Sequence, residues 1–285
     1  MSTDAPGQFF ETTDGLNVFY RDFGSDQPGT PVICLPGLTR NSRDFDDIAR
    51  RLSSRRRVLT IDFRGRGYSD HDPDWKNYVP GTYVNDVWTL LDQLDIPKVI
   101  VLGTSLGGLC AMAMALMQSE RVVGVVLNDV GPEINPAGME RIQAYTGRAA
   151  PVSTWEEAAK QTRETYGDWL PGLDDDDFMK LARCTYREDE AGVPRLDLDD
   201  DIGRAVREIE PSGVDPWQLY AALEQKPVTL LWGVLSDILT RDIVDKMEAA
   251  KPDLAVVEVP NRGHVPLLDE PECLAAIDGF LDAVV

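Results

Sequence analysis

Ser105 stands in Gly103-Thr104-Ser105-Leu106-Gly107, directly after the apolar residues 99–102 and before an Ala- and Met-rich stretch over 109–117. A strand, a sharp turn and a helix in that order make the pentapeptide a nucleophile elbow. A serine at the tip of such a turn sits in strained backbone, and Gly103 and Gly107 supply room for it. The helix start behind Ser105 directs N–H groups and partial positive charge to where an oxyanion forms. A hydroxyl is a weak nucleophile without a base, and the chain has only two histidines. His264, in Asn261-Arg262-Gly263-His264-Val265-Pro266, falls in the loop after the last expected strand. Ligands of parallel sheets bind at such loops. His71 precedes the serine among Asp70, Asp72 and Asp74 and reads as an exposed loop residue.

An imidazole base needs a carboxylate to hold its tautomer and to stabilise the imidazolium. Asp237, in Gly233-Val234-Leu235-Ser236-Asp237, is assigned to that task, and Asp129, at the end of the preceding strand, is the alternative. The order Ser105, Asp237, His264 goes with a nucleophile elbow. On this assignment Asp237→Asn costs several orders of magnitude in turnover. The expected oxyanion donors are the backbone N–H groups of Leu106, after the nucleophile, and Leu38, where Gly37 permits close approach.

These residues need elements to hold them. Residues 9–12 and 16–22 read as strands joined at Asp14-Gly15, a hairpin dipeptide. Residues 32–35, 58–61, 99–102, 122–127 and 228–232 read as strands buried in a parallel sheet. Helical spacing over 44–52 and 82–94 alternates with them, which implies a doubly wound, mostly parallel α/β sheet. From Gly131 to about Gln225 the pattern changes to helical segments (155–166, 178–186, 201–209) and acidic loops, with no strand. A helical cap inserted after the sixth strand fits this change. The expected division is 1–131 for the first part of the core, 132–225 for the cap and 226–285 for the rest of the core. A helix over 241–250, a strand over 254–259 and a closing helix over 271–284 complete it.

Composition narrows the function. The 285 residues are 43% hydrophobic and carry a net charge of -21, which speaks against nucleic-acid or anionic-membrane partners. Arg50, Arg51, Arg55, Arg56 and Arg57 read as a solvated face suited to a helix C-terminus. Asp197, Asp199, Asp201 and Glu208 imitate a calcium loop, but Ile202 stands where the sharp turn needs glycine. Residues 1–7 lack a signal-peptide pattern, and no apolar run approaches a membrane span. The four cysteines (Cys34, Cys110, Cys184, Cys273) are scattered. A cytoplasmic monomer or homodimer with reduced cysteines, no metal and no cofactor is expected.

Leu35-Pro36-Gly37-Leu38, Asp62-Phe63-Arg64-Gly65-Arg66-Gly67-Tyr68-Ser69, the elbow, Leu231-Trp232-Gly233 through Asp237, and Gly263-His264 run in order across nearly the whole chain. In this the sequence resembles the capped, carboxylesterase-like enzymes of the α/β-hydrolase fold. The resemblance implies a serine hydrolase that cleaves a small, largely apolar ester or lactone through an acyl-enzyme. Serine at the elbow departs from the dehalogenase and epoxide-hydrolase branches, which use aspartate. Pro36 replaces a histidine that many relatives carry for structural reasons. One alternative is a C–C bond hydrolase of ring-cleavage dienoates. Such relatives carry Gly-Pro-Gly in the oxyanion loop, absent from Pro36-Gly37-Leu38-Thr39, and cap arginines for a substrate carboxylate. Arg40 is a candidate carboxylate ligand or else an exposed arginine near a helix start. A second alternative is a slow-turnover small-molecule receptor of the same fold. Trp155, Trp169, Trp217 and Tyr220 are candidate pocket walls, since the cap would shape the pocket.

Overall fold

The apolar runs form the middle of an eight-stranded sheet with the strand order β1-β2-β4-β3-β5-β6-β9-β10. This is a computed structural model that describes residues 5–209 and 213–284. Of the N-terminal stretch read as lacking a leader, residues 1–4 lie outside the described residues. Strands β1 (Gly7–Glu11) and β2 (Asn17–Phe23) make the expected antiparallel hairpin. Strand β2 pairs antiparallel with β4, and all later pairings in this sheet are parallel.

Every residue of β3 (Val32–Leu35) is buried. The same holds after helix α1 (Asp46–Leu52) for β4 (Val58–Ile61), and after α2 (Pro80–Gln93) for β5 (Val99–Thr104). Helices on both faces require that continuous burial. Helix α3 (Leu106–Met117) leads to β6 (Val122–Asn128). One apolar layer joins α2 and α3 to the sheet, and a second is built around α1 from Ile48 and Leu52 on it and Phe45 just before it.

Between β6 and the next strand of the sheet lie α4 (Pro136–Tyr145), α5 (Trp155–Tyr166) and α6 (Asp175–Thr185). A two-stranded hairpin follows, β7 (Tyr186–Glu188) with β8 (Pro194–Leu196), where no strand was expected. Three-residue strands are too short to show alternation, and Pro194 weakens the pattern further. Helix α7 (Asp201–Glu208) comes next. Helix α8 (Pro216–Ala221) falls within 132–225 but packs on α3 of the core. Strand β9 (Val228–Gly233), helix α9 (Arg241–Ala250), strand β10 (Ala255–Val259) and helix α10 (Pro271–Ala283) end the fold. Helix α10 joins the α1 layer through Ile277, Phe280 and Leu281.

The arginine row does not form a free solvated face. Arg51 and Arg55 pair with Asp278 of α10, Arg56 donates to the carbonyls of Leu281 and Val284, and Arg57 pairs with Asp22. Arg51, Arg55 and Arg56 thus meet partners on or just after the closing helix, while Arg57 is held by β2 and Arg50 by the acidic start of α1. The acidic cluster is also engaged: Asp197 pairs with Arg43 and Arg187, and Asp199 accepts from the Tyr78 hydroxyl. Among the described residues no group of three or more His, Cys, Asp or Glu is arranged to hold a metal ion. No described helix is long and apolar enough to cross a membrane.

Two buried arginines stiffen the loop after β4. Arg64 is ringed by Asp14, Asp72 and Asp86, and its guanidinium holds the Asp14 carboxyl down at about 2. Arg66 stacks over Tyr83 at 4.8 Å and donates to the Leu38 carbonyl at 3.0 Å, which ties this loop to the one after β3.

Candidate active site

Ser105 occupies the point where β5 ends and α3 begins, with φ 51° and ψ -114°. That left-handed backbone is sparsely populated for a side-chain-bearing residue. The neighbouring glycines are there because two elements touch. A Cβ on Gly103 would lie 2.5 Å from the Gly107 carbonyl carbon, and one on Gly107 would lie 2.0 Å from the Leu35 carbonyl oxygen. The elbow therefore closes only without those side chains.

The structure brings Ser105 and His264 together, with Oγ 2.8 Å from Nε2. The acid against the other ring nitrogen is Asp129, not Asp237. Asp129 Oδ2 is 2.7 Å from His264 Nδ1. Asp129 follows β6 directly, is fully buried, and has φ 54°, which aims its carboxylate across the top of β9. There Oδ1 accepts from the Gly233 N–H at 2.9 Å and Oδ2 from the Ser236 hydroxyl at 2.6 Å. These charge-assisted bonds offset the cost of burying the carboxylate.

Asp237 lies one residue past Ser236 and turns the other way. Its carboxylate takes both ends of the Arg141 fork, at 2.6 and 2.7 Å. Arg141 belongs to α4 and stacks over Trp169 at 4.1 Å. The Ser236 N–H donates to the Gly233 carbonyl, and this turn delivers the hydroxyl rather than the following carboxylate to the histidine side. His71 is away from this group, exposed and 3.2 Å from Asp199.

The His264 loop is fastened on three sides. Glu270 accepts from Arg262 Nε and the Leu267 N–H, at 2.6 and 2.9 Å. The Asn128 amide bridges Thr104 Oγ1 to the Pro266 carbonyl. The Gly263 N–H donates to the Trp169 carbonyl at 2.7 Å.

Leu106 opens α3, and Leu38 follows β3 at the cavity wall. The Gly37–Leu38 peptide is held on its carbonyl side by the Arg40 N–H. Its own N–H points the opposite way because the peptide is planar and trans.

Gly37, Leu38, Ser105 and His264 line a cavity of about 250 Å3. Ile142, Tyr145, Tyr166, Leu170 and Leu181 from the segment between β6 and β9 roof it. Of the residues expected in the pocket, Arg40 does line it. Its guanidinium is engaged by Asp44, at 2.8 and 2.6 Å, and by the Thr185 hydroxyl. The expected aromatics lie elsewhere. Trp155 stacks with Arg183 and donates to Glu188. Trp217 donates to Glu133, and the buried Tyr220 donates to the Met247 carbonyl. Trp169 abuts Gly263 rather than the cavity. Tyr145 and Tyr166, missed in the sequence, each end a helix, where 3.6-residue spacing does not tell which way a side chain faces.

A family described as the alpha/beta hydrolase fold matches residues 30–271. The 3-hydroxybutyrate-oligomer hydrolase of Cupriavidus necator is 33% identical over 92% of this chain and 91% of its own length. The sn-1-specific diacylglycerol lipase ABHD11 of Danio rerio is 37% identical over 95% of this chain and 84% of its own. The crystal structure of an alpha/beta hydrolase from Novosphingobium aromaticivorans superposes with a TM-score of 0.93, at 39% identity and 99% coverage of both chains. Likeness of this extent, on a sheet whose order and elbow already match, makes the chain a member of the alpha/beta hydrolase fold family.

Proposed function

We propose that the protein is a serine hydrolase of carboxylic esters in which Ser105 is the nucleophile, His264 the base and Asp129 the acid. The observation that carries this reading is the unbroken chain from Ser105 Oγ to His264 Nε2 to Asp129 Oδ2, with links of 2.8 and 2.7 Å. Ser105 Oγ attacks the ester carbonyl while its proton passes to His264 Nε2. The N–H groups of Leu38 and Leu106 face the developing oxyanion, each expected to contribute about 10²–10³ in rate. The tetrahedral adduct collapses, and His264 returns the proton to the departing alcohol oxygen. Water then attacks the acyl-enzyme, giving one proton to His264, which passes it to Ser105 Oγ as the acid leaves. Asp129 keeps the Nδ1–H tautomer and stabilises the imidazolium throughout.

The roof of Ile142, Leu170 and Leu181 suits a short apolar acyl or alkyl group. The relatives' names, an oligomer hydrolase of 3-hydroxybutyrate and a diacylglycerol lipase, support esters as the substrate class. Asp44 fills the Arg40 fork, which weighs against recognition of a substrate carboxylate there and so against the dienoate alternative.

The test is hydrolysis of p-nitrophenyl esters, from acetyl to dodecanoyl, by the native protein and Ser105→Ala. Saturable turnover reduced by about 10⁴-fold or more in the variant is expected. No turnover by the native protein across the series, or an undiminished rate in the variant, defeats the reading.

A further inference from the structure

The two N–H groups assigned to the oxyanion are held in different ways. Leu106 opens α3, and the helix backbone fixes its direction. Leu38 has no helix or strand around it and lies in the turn after β3. That turn passes close to the nucleophile, since a Cβ built on Gly37 would lie 3.8 Å from the Ser105 Cβ. The direction of the Leu38 N–H depends on the two peptide planes that meet at its Cα. The plane before it is held by the Arg40 N–H, which donates to the Gly37 carbonyl at 3.2 Å. The plane after it is held by Arg66 Nε, which donates to the Leu38 carbonyl at 3.0 Å. With both planes held, neither torsion at Leu38 relaxes alone.

Arg66 is fully buried. Burying a guanidinium is costly unless a carboxylate or good hydrogen bonds offset it. Arg64, two residues earlier, has three aspartates around it. The hydrogen bonds of Arg66 all go to neutral acceptors, the carbonyls of Leu38 and Arg64 and the Tyr83 hydroxyl. The group is also held firmly. Its guanidinium carbon lies 4.8 Å from the centre of the Tyr83 ring and 5.8 Å from that of Tyr78. The Arg66 N–H donates to the Phe63 carbonyl at 3.1 Å. On either side, the Gly67 N–H donates to the Asp197 carbonyl at 3.2 Å, and the Gly65 carbonyl accepts from the Asp199 N–H at 2.8 Å. A bond from an ionised donor is roughly twice as strong as one between neutral groups, and here it is spent on the turn that carries Leu38.

We propose that Arg66 is a positioning residue for the oxyanion hole. From its buried place behind the turn it fixes the Leu38–Thr39 peptide, and so aims the Leu38 N–H at the oxygen that becomes negative. Its positive charge, met only by neutral groups, adds to the field at that oxygen. The proposal rests on the ester-hydrolase reading and on the Leu38 donor within it. A guanidinium that served only as a strut would lower stability when lost, without selecting one step of the reaction.

The experiment measures kcat and KM on p-nitrophenyl butyrate and the inhibition constant of butylboronic acid. It uses the native protein, Arg66→Met, Arg66→Lys and Asp72→Asn. In the inhibited enzyme Ser105 Oγ bonds to boron and its proton goes to His264 Nε2, which leaves a negative, four-coordinate boron in place of the tetrahedral adduct. For Arg66→Met, kcat is expected to fall about 30-fold, less than the roughly 10²–10³ that loss of a whole donor costs. KM should change little, and the inhibition constant should rise by the same factor as kcat falls. Arg66→Lys keeps a charged donor without the fork and is expected to lose only about threefold. Asp72→Asn loosens the same loop through Arg64, and is expected to lower the melting temperature with kcat and the inhibition constant little changed. A thermal melt identifies an Arg66→Met protein that has failed to fold. Tyr83→Phe then decides: it takes one acceptor from Nη1 and keeps the ring, with an expected fall of about threefold in kcat and a matching rise in the inhibition constant. An unchanged kcat in the deciding variant, a loss equalled by Asp72→Asn, or a loss without weaker boronate binding overturns the role of Arg66 and leaves ester hydrolysis standing. Failure of the native protein to hydrolyse the ester removes both readings.

Discussion

Asp129 and Asp237 follow adjacent parallel strands, β6 and β9, yet their carboxylates meet opposite kinds of partner. Asp129 is the first residue past its strand, fully buried, with Gly233, Ser236 and His264 all donating to it. Asp237 is four residues past its strand, partly exposed, and clasped by Arg141 of α4. The difference teaches that distance from the strand end decides. A residue at the rim of the sheet is aimed by the β-ladder itself, whereas one farther along a turn is aimed by the turn. Here the turn presents Ser236 inward and Asp237 outward.

The strongest way to break this comparison is Asp129→Asn. It keeps the shape but reverses the hydrogen bond to Nδ1, and kcat on a p-nitrophenyl ester is expected to fall by about 10⁴-fold. Ser236→Ala sharpens the comparison. It removes one charge-assisted bond to Asp129 while leaving the histidine contact, and a drop in kcat of about tenfold is expected, with KM little changed. Asp237→Asn should matter least. Loss of a partly exposed ion pair is expected to cost about 1 kcal/mol in denaturant unfolding and no more than about threefold in kcat. Were Asp237→Asn to abolish turnover while Asp129→Asn remained active, the two roles would be exchanged.

Much of this was legible in the residues. The strands that carry Ser105 and Asp129 are short unbroken apolar runs, and burial on both faces of a parallel sheet leaves no other pattern for them. The elbow was legible because its glycines answer a steric demand that other residues cannot meet. His264 stood out because the chain has only one other histidine. The carboxylate that meets His264 was not settled, because Asp129 and Asp237 both follow strands and only the backbone of the 233–237 turn chooses between them. The pocket walls were least legible. Large aromatics were expected there, but Trp155, Trp217 and Tyr220 pack or pair within their own surroundings. The residues that do line the cavity, such as Leu170 and Leu181, owe their place to how helices cross, which no local spacing records.

The hydrogen bond from the Gly263 N–H to the Trp169 carbonyl has a practical bearing on engineering. A roof of this kind invites exchange, with one relative's helices grafted onto another's sheet to acquire a new specificity. In this chain the roof also holds the backbone next to His264, and Arg141, its clasp on Asp237, stacks on the same tryptophan. A graft that replaces residues 141 and 169 would shift His264 along with the pocket, so a chimera would lose rate before its selectivity could be measured. Exchanges confined to the stretch between those two positions leave these two holds on the His264 loop in place.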